Sequence, residues 1–267
     1  MNLPLILAVY LALAALMAAA WWWQRRVRNI GWVDVFWTFG VAGAGAALAF
    51  GGADDQGSAA RRLLVCALIV LWSLRLGLYV AVRVAGSPED GRYRQLRQSW
   101  GGHLQPRMFW FLQLQAVVSI LLALAIGLAA NRPGPNLTLA DLAGVMIALG
   151  AMLGEGLADQ QMKSFRATSG EGAICDLGLW GWSRHPNYVF EWLGWLAYPV
   201  LAISLSGAYP LGWLSLLAPL CMFGVLRFGT GVPPLEEHMA RTRGAAFDAY
   251  KARVPIFLPR IFKENGR

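Results

Sequence analysis

A chain of 267 residues with 57% hydrophobic and only 14% charged side chains, and a mean hydropathy of +0.47, lies outside the range of soluble domains, where about a quarter of residues are charged. Its net charge of +8 sits on Lys and Arg that flank apolar runs instead of forming a basic domain. That excludes nucleic acid as the partner and leaves anionic lipid head groups or a phosphorylated ligand. The three cysteines (Cys66, Cys175, Cys221) and three histidines (His103, His185, His238) are scattered, so neither a disulfide framework nor a metal site is expected.

Seven apolar runs reach the roughly 20 residues that a helix needs to span a bilayer: 4–23, 31–51, 63–85, 108–130, 138–162, 187–206 and 210–230. The first has no basic residue before it and Arg25, Arg26 and Arg28 after it, so it reads as a retained span and not as a cleaved leader. The second opens with Asn29-Ile30-Gly31-Trp32-Val33-Asp34-Val35-Phe36-Trp37. Asp34 either complements the helix dipole or pairs with Arg28, or it lines a pocket walled by Trp32, Phe36 and Trp37, whose aromatic faces suit a flat apolar ligand.

The third run carries Arg75 near its middle with Tyr79 one turn on. A mid-span Arg needs a carboxylate or carbonyl partner inside the bundle. The loop that follows, Gly86-Ser87-Pro88-Glu89-Asp90-Gly91-Arg92-Tyr93-Arg94, leads to Arg97; its arginines anchor the cytoplasmic face or grip a phosphate. The fifth run ends in a stripe on one helical face, Glu155, Asp159, Met162 and Arg166, which reads as an inward, hydrogen-bonding surface. Ser183-Arg184-His185-Pro186-Asn187-Tyr188-Val189-Phe190-Glu191 opens the sixth run. Asn187 and Glu191, four apart, share a face near a helix N-terminus, with Arg184 and His185 adding positive charge there. Ionisable groups so placed in a membrane helix default to function. Past Arg227 the tail, with Glu236-Glu237-His238 and Tyr250, is amphipathic and too polar to span, and is expected at the interface or over the cytoplasmic opening.

Basic residues follow the first, third, fifth and seventh runs, whereas the other side offers only Arg61, Arg62 and Arg132. The positive-inside rule then places the N-terminus outside and the C-terminus in the cytoplasm.

The seven-span pattern, the Gly-Trp-Val-Asp-Val-Phe-Trp segment, the Pro-Glu-Asp-Gly-Arg-Tyr loop, Arg-His-Pro-Asn-Tyr with Glu191, and the Leu-Glu-Glu-His tail together resemble the bacterial membrane proteins grouped with the steroid 5-alpha-reductases. Their superfamily includes sterol reductases and isoprenylcysteine carboxyl methyltransferases. The resemblance implies an all-α integral membrane protein of the bacterial inner membrane: one domain, 1–267, a seven-transmembrane helix bundle with a cytoplasmic C-terminal segment from 231, acting as a monomer. It implies NADPH as cofactor and hydride transfer to the conjugated C=C of a lipophilic enone, steroid-like or another isoprenoid or lipid ketone. By the same resemblance Asn187 and Glu191 hold the nicotinamide amide, Asp159 and Arg166 serve the ribose and phosphates, and Glu155 stands where the animal enzymes carry Asn. Arg184, Arg227, His238 and Tyr250 complete the cofactor set. Where the animal enzymes place Gln-Glu to hold a steroid ketone, this chain has Val33-Asp34. Asp34, if neutral, donates to the carbonyl; if ionised, it orients Tyr79 as the donor. No Gly-x-Gly-x-x-Gly follows a strand pattern. The Arg-His-Pro motif also admits an S-adenosylmethionine-dependent methyltransferase acting on a lipid or prenylated substrate, and the composition admits a lipid-binding or transport protein.

Overall fold

Apolar runs of this length satisfy their backbone groups internally by coiling into helices. In the computed structural model, which describes residues 2–52, 57–134, 136–170 and 172–258 without the side chain of Arg92, the chain is all-helical and no strand forms among the described residues. The helices are α1 (Leu3–Val27), α2 (Trp32–Gly51), α3 (Ala59–Gly86), α4 (Gly91–Trp100), α5 (Leu104–Ala130), α6 (Leu139–Thr168), α7 (Pro186–Trp195), α8 (Ala197–Ala202), α9 (Leu217–Phe228) and α10 (Val232–Arg253). Six helical stretches among the described residues are long and apolar enough to cross a membrane: Leu3–Val27, Trp32–Gly51, Ala59–Gly86, Tyr93–Ala130, Leu139–Thr168 and Pro210–Arg253.

The run expected to span over 187–206 is where the pattern departs. It forms the ten residues of α7 and the six of α8, with a break at Leu196. Pro199 is the physical reason. A proline lacks the N–H that would bond the carbonyl four residues back, and its ring crowds that carbonyl. Here that carbonyl belongs to Trp195, where α7 stops. Of the tail expected over 231–267, α10 covers Val232–Arg253 with a kink at Gly244 (φ 48°), and residues 259–267 lie outside the described residues.

The contacts group the chain into two compact units, where the sequence reads as one continuous domain. One unit is Met1–Ala148 with Trp195–Cys221, the other Leu149–Gly194 with Met222–Arg267. In the first unit α2 packs against α1, α3 and α5. Small residues permit the approach, as in membrane helix pairs generally: a Cβ on Gly127 would come within 2.9 Å of the Leu48 Cβ. At one end of this unit, Arg61 is buried and bonds Asp141 through Nε (2.9 Å) and Nη2 (3.1 Å), while Arg132 reaches the same carboxylate at 2.7 Å. Asp141 also accepts the Thr138 N–H at 2.7 Å, which caps the start of α6. At the other end α1 stops at Arg28 (φ 54°), and Arg25 and Arg26 lie over the rings of Trp21 and Trp22 at 4.6 and 5.0 Å, an aromatic–cationic belt of the kind that marks a membrane–water boundary.

The second unit is held by aromatic packing. Phe247, Tyr250 and Val254 of the tail bury together against Ile174 and Met239, and Trp192 meets Phe223 and Phe257 at 5.6 and 6.2 Å between ring centres.

Candidate functional site

Each group of residues singled out by sequence falls within one unit. Asp34, Tyr79, Trp32, Phe36 and Trp37 belong to the first, and Glu155, Asp159, Arg166, Arg184, Asn187, Glu191, Arg227, His238 and Tyr250 to the second.

In the first unit Asp34 lies in the opening turn of α2, half-buried. Its Oδ1 accepts the hydroxyl of Tyr93 at 2.7 Å, and Tyr93 is itself buried. Tyr93 comes from α4, which the preceding loop holds against the start of α2. Glu89 accepts the Ile30 N–H at 2.9 Å and is clamped by Arg97 at 2.9 and 3.1 Å, while Asn29 donates to the Val84 carbonyl at 3.3 Å. A Cβ at Gly31 would lie 2.9 Å from the Val84 Cγ2, so any larger residue there would have to displace that side chain. Tyr79 sits half-buried on α3, its ring 5.8 Å from the Arg83 guanidinium. Tyr93 is thus a polar partner of Asp34 that the sequence reading did not name. The signal was present in the Pro-Glu-Asp-Gly-Arg-Tyr loop, where only the arginines drew notice.

The expected aromatic wall is divided by helix geometry. Residues two apart point about 200° apart on an α-helix, so Phe36 turns away from Asp34. Phe36 lines an apolar groove of about 610 Å³ between α1 and α2, with Val9, Leu13, Gly40, Gly43 and Ala47 among its other walls. Trp32 shares that side and packs edge-on to Trp23 at 6.4 Å. Trp37 stays on the Asp34 side, edge-on to Trp72 at 6.2 Å; Trp72 in turn meets Trp195 at 5.4 Å.

In the second unit, Pro186 opens α7 at a position where its missing N–H costs nothing. One turn apart along it, Asn187 is half-buried and Glu191 buried. Asn187 makes no side-chain hydrogen bond among the described residues, so its amide is free for a ligand. Arg184 is committed within the protein. It grips Glu236 through Nε (2.7 Å) and Nη2 (3.2 Å), and its Nη1 donates to the carbonyls of Val254 (2.7 Å) and Lys251 (3.5 Å). His185, buried and stacked on Tyr188 at 5.6 Å, sets Nε2 3.0 Å from Glu236.

Burial alone would raise the Glu236 carboxyl, but hydrogen bonds from His185 and Arg184, and their charges, outweigh it and hold it down to about 2. Burial lowers the His185 pKa, and the nearby Arg184 and Arg227 charges push the same way against the hydrogen bond and charge of Glu236. Tyr250 donates to the Trp180 carbonyl at 2.6 Å, and burial first raises its pKa. Trp180 donates onward to Ala158 on α6 at 3.0 Å. Arg184, His185, Glu236 and Tyr250 therefore fix the tail onto the start of α7 and onto α6.

On α6, Glu155 is buried, Asp159 half-buried and Arg166 exposed at the helix end. Arg243 of α10 is Arg166's neighbour: burial lowers the Arg243 pKa, and the Arg166 charge lowers it further. Two guanidiniums within electrostatic reach of one another concentrate positive charge of the kind that attracts an anion. The sequence reading missed Arg243, which lies 77 residues from Arg166 with no local motif to flag it. His238 is half-buried on α10, and Arg227 lies over the Phe228 ring at 5.0 Å. Among the described residues no group of three or more His, Cys, Asp or Glu is arranged to hold a metal.

Comparison with known proteins bears on most of the chain. A family described as a protein of unknown function, DUF1295, matches residues 20–254. An uncharacterized protein of Schizosaccharomyces pombe, C594.04c, is 27% identical over 229 residues, which cover 76% of this chain. The match spans 65% of that relative's length. No solved structure matches significantly.

Proposed function

The chain belongs to the DUF1295 family, and from its motifs and site geometry we propose that it is a membrane-embedded, NADPH-dependent reductase that transfers hydride to the β-carbon of a lipophilic enone, in the manner of the steroid 5-alpha-reductases that its motifs resemble. The observation that carries the reading is the Tyr93–Asp34 pair at 2.7 Å. A phenol held by a carboxylate at the mouth of an apolar bundle is a ready donor to the carbonyl oxygen of an enone. As hydride arrives at the β-carbon, that oxygen gains negative charge, and a placed O–H stabilises the enolate and protonates it. Asp34 holds the phenol in place by accepting its single O–H in the free protein, and the hydroxyl turns that proton from Asp34 to the substrate oxygen when the enone binds. Tyr93 takes the donor role here, and Tyr79 remains its alternative on α3.

Cofactor binding is assigned to the second unit. Asn187, whose amide is uncommitted, and Glu191 are placed one turn apart to read a carboxamide, which offers both a donor and an acceptor. Arg166 with Arg243 offers the charge that a phosphate needs. Arg184 and Tyr250, whose donors are spent inside the protein, act as positioning residues for α7 and the tail. NADPH supplies the hydride when bound; the protein orients it, excludes water and provides the proton.

The topology follows the same reading: seven crossings, N-terminus outside and C-terminus cytoplasmic. The broken α7–α8 segment rises only about 25 Å at about 1.5 Å per residue, but Trp195, Ala197, Tyr198, Leu201 and Ala202 are buried. Broken helices are tolerated at membrane depth when protein, not lipid, surrounds them. Arg61 and Arg132, two of the three basic residues on the outer side, share the Asp141 carboxylate, which offsets one of their two charges and adds to the charge asymmetry.

The test is thermal stabilisation of detergent-purified protein by NADPH, NADH and S-adenosylmethionine, each confirmed by calorimetry. A ligand that binds only the folded state raises the melting temperature with occupancy. NADPH is expected to stabilise the wild type and to fail with Asn187→Ala. Stabilisation by S-adenosylmethionine alone would refute the reductase reading in favour of a methyltransferase.

A further inference from the structure

The first unit contains a buried donor that its own residues leave unused. The indole Nε1 of Trp37 is sealed from solvent and has no hydrogen-bond partner among the described residues. An indole nitrogen can only donate, and a buried donor left unpaired is uncommon enough to demand a reason. Elsewhere this fold pairs such groups: the Trp21 Nε1 donates to the Gln105 carbonyl at 3.0 Å, and the Trp180 Nε1 to the Ala158 carbonyl at 3.0 Å. In both of these indoles the N–H is used.

The surroundings of Trp37 say what would use it. It follows Asp34 by three residues on α2, so the two share a helix face, and Asp34 holds the Tyr93 hydroxyl at 2.7 Å. Thr38, the adjacent polar side chain, turns its hydroxyl onto the Asp34 carbonyl at 2.8 Å. Beyond Trp37 the neighbours are buried aromatic rings: Trp72 edge-on at 6.2 Å, then Trp195, then Tyr198 at 5.3 Å from Trp195. One polar hydrogen set in an aromatic wall beside a phenol–carboxylate pair matches a ligand with an apolar body and a single oxygen acceptor.

We propose that the Trp37 indole N–H is a ligand-binding donor that holds the carbonyl oxygen of a small lipophilic ketone in the first unit. A hydrocarbon of the same shape leaves that N–H buried and unpaired, so Trp37 selects for the oxygen. The link to catalysis rests on the reductase reading: Trp37 and Tyr93 then act as two donors on the one oxygen that becomes anionic, and Trp37 is the member of the pair that has no proton to give up. The donor role itself does not need NADPH.

The experiment uses the full-length protein in detergent with ¹⁵N-labelled indoles. The Trp37 resonance is identified by its loss in Trp37→Phe, or in Trp37→Tyr if the first variant fails to fold. Titration with 2-cyclohexen-1-one is expected to move the Trp37 indole proton downfield and to saturate, whereas cyclohexene leaves it in place. The variant is expected to bind the ketone about three- to tenfold more weakly, the range of one neutral hydrogen bond. A Trp37 resonance that ignores both ligands, as when water alone satisfies it, or that moves equally with both, overturns the proposal. NADPH binding is read separately. A ketone response at Trp37 without NADPH binding keeps the donor and ends the reductase reading; NADPH binding with a silent Trp37 does the reverse.

Discussion

Replacing Glu236 with glutamine should loosen the tail from α7 while sparing the first unit. The magnitude follows from the site. The fall of the Glu236 carboxyl from an ordinary 4.5 to about 2 corresponds to about 3 kcal/mol, at about 1.4 kcal/mol per pKa unit. A second route agrees. Removing one partner of a buried ion pair leaves the other charge uncompensated, at a cost of about 3–5 kcal/mol, and the Arg184 side chain is only 9% exposed. Glutamine can still accept one bond from Arg184, which places the expected loss near about 3 kcal/mol.

The pH dependence gives the sign. A carboxyl whose folded pKa is depressed contributes stability that is complete above its unfolded value and is lost as pH falls through the folded value. The Glu236 contribution to tail docking should therefore be complete at pH 6 and be lost between about pH 4.5 and about pH 2, while the lowered His185 pKa adds a loss of its own as pH falls below about 6.5. Limited trypsin digestion at neutral pH reads the docking, because Arg241, Arg243 and Lys251 lie in α10. Glu236→Gln is expected to be cut within α10 much faster than wild type. Thermal unfolding followed through the acid range reads the linkage, and the wild-type dependence in that window should be reduced in the variant. Equal cleavage of the two proteins, or the same acid profile in both, would refute the argument.

Tyr93→Phe removes the donor that Asp34 holds and should lower enone turnover roughly 10²–10³-fold with NADPH affinity unchanged; steady-state kinetics with separate cofactor titration checks it, and a larger effect from Tyr79→Phe would return the donor role to α3. Arg243→Ala removes one of the two neighbouring guanidiniums and should weaken NADPH more than NADH by calorimetry if the pair holds the phosphate that distinguishes them. Asp141→Ala strands the buried guanidiniums of Arg61 and Arg132 and should cost about 3–5 kcal/mol, seen as a lowered melting temperature in detergent, whereas a surface change such as Asp248→Ala should move it little.

Hydropathy made the helical architecture legible, because an apolar run of span length has few other ways to satisfy its backbone. It did not show that the helix breaks within 187–206. An averaged window counts Pro199 as one mildly polar residue, while the helix loses the Trp195 bond outright. The site was legible where the relevant spacing is local. Asn187 with Glu191, and Glu155 with Asp159, are one turn apart, and one turn of helix is what a sequence displays directly. Partnerships closed across the chain were not. Tyr93 meets Asp34 from 59 residues away, and Arg184 meets Glu236 from 52. Both arginine assignments follow from this. Arg184 looked like an anion ligand because its charge and the helix start are adjacent in sequence, yet distant acceptors consume its guanidinium. Arg243 looked like one more basic tail residue, yet the fold brings it within reach of the Arg166 charge. In this chain a basic residue's role is decided by whether the fold supplies its acceptor, and the guanidiniums that feel one another's charge are the ones to test against a phosphate.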